Sequence, residues 1–93
     1  MFDNLYNGLV GYETHRDVLN VFADFINENG LLDKAILTNA EMLLFIGDTI
    51  HHLKEGDMDF HLFVELMKSF NIELPNEQMS NDLFEKIKKV ALM

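Results

Sequence analysis

Cysteine and tryptophan are absent from this 93-residue chain, proline occurs once, and lysine and arginine together number only seven. Without cysteine there are neither disulfides nor thiolate metal sites, so the hydrophobic core alone has to hold the fold. One proline and five glycines leave little to interrupt helices and exclude a collagen-like or low-complexity chain. The seven bases face 16 acids, a net charge of −9 with histidine neutral. Such a chain repels nucleic-acid phosphates and anionic membranes, so direct DNA or RNA binding is not expected. No apolar run approaches the roughly 18 residues of a membrane span. The start Met1-Phe2-Asp3-Asn4 lacks the basic stretch of a secretory signal, and a cytoplasmic location is the expectation. Also missing are a glycine-rich phosphate loop, a Gly-x-Ser-x-Gly elbow, a cysteine nucleophile and a His-Glu-x-x-His pair. Ser69 and Ser80, the only serines, sit in no recognisable catalytic setting, so a non-enzymatic protein without cofactor is expected.

What is present is apolar spacing of helical period. With 48% hydrophobic residues and a length suited to one core, the chain reads as a single all-α domain over residues 1–93. The expected fold is a compact bundle of four main helices plus a short N-terminal one. Phe2, Leu5, Tyr6, Leu9 and Val10 form the stripe of the short helix, with Gly11 as its stop. Thr14 with Asp17 resembles a capping box for a helix over about 14–28, whose stripe is Val18, Val21, Phe22, Phe25 and Ile26. Asn27, Asn29 and Gly30 end it. Thr38-Asn39-Ala40-Glu41 is a capping box proper, and a helix over about 38–54 follows. Its run Met42-Leu43-Leu44-Phe45-Ile46, continued by Ile50 and Leu53, is apolar around most of the circumference, as in a central helix. Gly56 stops it, Asp57 or Asp59 caps a helix over about 59–70 with Phe60, Phe63, Val64, Met67 and Phe70 inward, and Leu62 and Leu66 widen that stripe. After Pro75, Asn76 or Ser80 caps a last helix with stripe Met79, Leu83, Ile87 and Val90. Residues 1–85 hold all 16 acids against four bases, a balance of −12, while Lys86, Lys88 and Lys89 give the end +3. Cations in a last helical turn complement the dipole.

Two metal readings follow from local residues. Residues 42–74 resemble an EF-hand, in that Gly56-Asp57-Met58-Asp59-Phe60-His61-Leu62-Phe63 is similar to the second half of its loop and the start of the exiting helix. With Gly56 at the loop's sixth position, the first, third and twelfth ligand positions fall on His51, Leu53 and Leu62, which supply no carboxylate. Only Glu55 and Asp59 remain, and no working calcium site is expected. On a helix Asp48 lies one turn from both His51 and His52, and both histidines lie one turn from Glu55, so a small metal-dependent helical protein using that cluster is an alternative reading.

The surplus of apolar residues is the remaining signal. Leu44 falls on the polar side of its helix with Asp48, and Leu62 and Leu66 exceed what one core contact needs. Apolar residues rimmed by charge commonly mark interfaces. Leu44, Asp48, Leu62, Glu65 and Leu66 are therefore the candidate partner-binding residues. The partner would be another protein with a basic surface, or a second copy in a homodimer. In composition such a chain resembles phage-encoded modulators, antitoxins and immunity proteins, which implies binding and regulating or inhibiting another protein. A further alternative is a DNA mimic, against which stands the spread of carboxylates over every helix.

Overall fold

The computed structural model describes residues 13–92, which form four α-helices and one short 3-10 turn, with no strand among them. The helices are α1 (Glu13–Glu28), α2 (Asn39–Glu55), α3 (Phe60–Ser69) and α4 (Glu77–Ala91), and the 3-10 turn is Leu32–Lys34. The helix expected over Phe2 to Val10 lies outside the described residues.

Local chemistry sets most of the helix ends. At α2 the Thr38 hydroxyl accepts from the Glu41 amide and the Glu41 carboxylate accepts from the Thr38 amide, both at 3.1 Å, so the capping box is complete. Asp59 caps α3 by accepting from the Leu62 amide at 2.8 Å, and Asn76 caps α4 by accepting from the Met79 amide at 2.9 Å. The expected box at Thr14 and Asp17 does not form, because Glu13 and Thr14 are already helical. Three helices end in the same way, with a left-handed residue beyond the last turn: Gly30 (φ 65°), Gly56 (φ 81°) and Asn71 (φ 59°). In each case the next amide reaches back across the turn, Leu31 to Ile26, Asp57 to His52 and Ile72 to Met67, which satisfies a carbonyl the helix would otherwise leave open. Asn71 was not anticipated. Asparagine tolerates this conformation better than other side chains because its short amide bonds locally.

The four helices share one core. Phe22 of α1 packs on Phe45 of α2 with ring centroids 5.3 Å apart, Phe45 lies 6.2 Å from Phe63 of α3, and Phe63 lies 5.1 Å from Phe84 of α4. Aromatic contacts therefore run through every helix. Edge-on and tilted pairs at such distances add to area burial. The helix α1 packs most extensively against α4. Two stripes differ from the spacing reading. Leu19, not counted in the α1 stripe, is fully buried while Val21 is only half-buried. On α4 the buried line is Ser80, Leu83, Phe84, Ile87 and Ala91, and Met79 and Val90 are half-buried at its edges. Phe84 turns the helix toward Phe60 and Phe63, which rotates the inward face by part of a turn. At the other end Lys86 sits 5.4 Å from the Phe25 ring and Lys88 5.8 Å from the Phe84 ring, so two of the terminal lysines cover aromatic faces.

Candidate functional site

With the core closed, what remains exposed and apolar is the first feature to explain. The large hydrophobics left exposed among the described residues are Leu32, Ile36, Leu43, Leu44 and Leu92, and four of these five fall between residues 32 and 44. They lie in the connection from α1 to α2 and on the first turns of α2. Ile36 is 79% exposed and Leu44 60%. The connection is held from beneath: Leu31 and Ala35 are buried, and half-buried Leu37, the residue before the Thr38 cap, packs against the core beside the start of α2. One turn beyond Leu43 and Leu44 stands Gly47. A Cβ built there meets nothing within 4 Å, so no packing among the described residues requires glycine. The charged residues next to them in the chain are exposed Asp33, Lys34 and Asp48 and half-buried Glu41.

The five residues singled out from sequence do not form one surface around these. Leu44 and Asp48 are exposed on the outer face of α2. Leu62 and Leu66, on α3, are half-buried and pack against the core, so much of their area is already used internally. Glu65 is exposed, with Oε1 4.0 Å from Lys68 Nζ. Leu32, Ile36 and Leu43 were missed. In 31–37 Leu31 and Ala35 are buried and Leu32 and Ile36 exposed, each pair four apart, but a single such interval around the short turn Leu32–Lys34 does not tell from sequence which pair faces inward.

The metal readings do not find their geometry. The His52 Nδ1 lies 3.0 Å from Asp57 Oδ1, across the turn that ends α2, and His51 packs edge-on against His52 with centroids 5.5 Å apart. Among the described residues no three His, Asp or Glu side chains converge as a ligand set, so Asp48, His51, His52 and Glu55 are not brought together. The EF-hand resemblance also ends at the backbone. His51 to Glu55 continue α2 and Phe60 to Leu62 already belong to α3, which leaves four residues, Gly56 to Asp59, where the calcium loop needs twelve in sequence.

A second feature is a groove between α3 and the start of α4. One hollow of about 490 Å³ has Phe60, Val64 and Leu74 as apolar floor, with His61, Asn76 and Glu77 at its rim. A second, of about 380 Å³, continues from Val64 and Leu74 toward Lys68, Ile72 and Glu73. A third continues from Phe60 and Glu77 to Gln78 and Asn81. Shared lining makes them one trough. Among the described residues no helix is long and apolar enough to cross a membrane. No protein-family model matches this chain, and neither a curated protein nor a solved structure matches it.

Proposed function

We propose that this chain is a small acidic, non-enzymatic cytoplasmic protein that binds and regulates or inhibits another protein, with Leu44, Leu43, Ile36 and Leu32 as the contact surface. The observation that carries this reading is the concentration of four exposed large hydrophobics between residues 32 and 44. Gathered apolar exposure is what interfaces use, whereas single exposed leucines are ordinary. Gly47 supports it, since an unpacked glycine inside a helix is a cost that close approach of another chain would offset. Asp48 sits at the rim, where a charge steers encounter with a basic partner more than it adds affinity. Leu62, Glu65 and Leu66 belong to this reading only as a margin, because the two leucines already pack inward. The test compares capture from the native host by the natural chain and by Leu44→Ser/Ile36→Ser. A protein retained by the first and lost by the second, with the fold intact, supports the reading, and equal retention overturns it.

A DNA mimic is the second reading, favoured by one observation. Glu13, Asp17, Asp24 and Glu28 are all exposed on α1. Their spacing places them along one stripe, at axial steps of about 6, 10 and 6 Å. Competition with duplex DNA for a shared protein, lost when these four are neutralised, distinguishes it from the apolar reading.

A further inference from the structure

We infer that the trough between α3 and α4 receives a cation-flanked apolar segment of a protein partner, a short stretch in which one or two apolar side chains lie between lysines or arginines. The trough shares no residue with the surface formed by Leu32, Ile36, Leu43 and Leu44. The trough follows α3 from Phe60 to Lys68, eight residue steps or about 12 Å of helix, the length of about four residues of extended chain. Its floor is apolar, and Phe60, Val64 and Leu74 are each half-buried with their remaining surface open to the hollow. That floor fits an aliphatic or aromatic anchor.

Charge decides what flanks the anchor. The wall opposite α3 carries Glu73 at one end and Glu77 at the other. Among the described residues no Lys, Arg or His nitrogen lies within 4.0 Å of either carboxylate. Lys68, the lysine that lines the trough, has its ammonium 4.0 Å from Glu65 on its own helix instead. Glu73 and Glu77 bracket Leu74 in sequence, so cations on both sides of an anchor seated at Leu74 meet a carboxylate each. The α3 wall presents His61 and Lys68, which suit the carbonyl groups of an extended backbone. The net charge of −9 adds a long-range field of the same sign. An acidic segment or a fatty-acid carboxylate would face Glu73 and Glu77 along that wall, with only Lys68 and His61 across the trough to offset them.

The test is a proton–nitrogen NMR titration of the full chain with hexapeptides of sequence KRLFRK, QQLFQQ, EELFEE and KRAARK. KRLFRK is expected to bind saturably, moving the amides of residues 60–64 and 73–81, with QQLFQQ and KRAARK each about tenfold weaker and EELFEE not binding. Glu73→Gln/Glu77→Gln weakens KRLFRK about three- to tenfold, whereas Glu13→Gln/Asp24→Asn, the same loss of charge on α1, changes it less than about twofold. All four residues are exposed, and melting curves check that both variants stay folded. Equal weakening by the two double variants, shifts centred on 32–44 or α1, equal binding of QQLFQQ, EELFEE or KRAARK, or no saturable binding of KRLFRK overturns the assignment.

Discussion

The amide of Glu73 donates a hydrogen bond to the carbonyl of Lys34 at 3.1 Å, tying the connection between α3 and α4 to the connection between α1 and α2. On the Lys34 side, Leu31 and Ala35 are buried while Leu32 and Ile36 are exposed. On the Glu73 side, Ile72 is buried and Leu74 forms the floor of the trough. One bond thus joins the segment that bears the exposed apolar patch to the wall of the trough.

The turn that delivers Glu73 begins at Asn71, whose φ of 59° only glycine and a few polar residues adopt cheaply. Asn71→Ala is expected to destabilise the protein by about 1–2 kcal/mol, and Asn71→Gly to be tolerated. Denaturant unfolding of both variants checks this, and an alanine variant as stable as the natural chain would contradict the turn geometry.

Removing the capping box should cost a comparable amount. Thr38→Ala leaves the Glu41 amide without its acceptor, a loss of about 0.5–2 kcal/mol measured by thermal melting.

Gly47→Ala is expected to work in the opposite direction, stabilising α2 by about 0.5–1 kcal/mol, because the added methyl meets open space and the helix gains propensity. If a partner approaches closely at this face, the same variant binds it more weakly despite being more stable. A change that destabilises the isolated protein would show that the space above Gly47 is occupied.

Leu44 and Leu66 separate exposed from packed leucine. Leu44→Ser should alter stability by no more than about 0.5 kcal/mol. Leu66→Ser should cost about 1–2 kcal/mol through the area it shares with the core. Phe22→Ala, Phe45→Ala and Phe63→Ala, all essentially without exposure, should each cost about 3–5 kcal/mol, enough to unfold a marginal domain. Losses below about 1 kcal/mol at all three would mean that the aromatic contacts do not organise the core.

Calcium should leave the melting temperature unchanged, since a ligand that binds only the folded state raises it by mass action. A rise at micromolar calcium would require the segment from His51 to Leu62 to abandon two helix ends and form a loop.

By itself the sequence determined the four helices of the described residues. Capping residues act on amides two or three positions away, and apolar period repeats within one turn, so Thr38, Glu41, Asp59, Asn76, Gly30 and Gly56 mark their elements without reference to the rest of the chain. It also determined that Phe22, Phe45 and Phe63 lie inside. Only the tertiary structure decided which way each helix turns and what stays uncovered. Leu62 and Leu44 both look surplus by spacing, yet Leu62 packs against the core and Leu44 stands 60% exposed. In 31–37 one interval of four is all there is to read, and which of the pairs Leu31/Ala35 and Leu32/Ile36 faces inward follows from how the connection packs and where Glu73 binds it. The trough, too, depends on residues up to 21 apart, from Phe60 to Asn81, meeting across two helices. Exposure is a property of neighbours brought together by packing, and no window of one helical turn contains them.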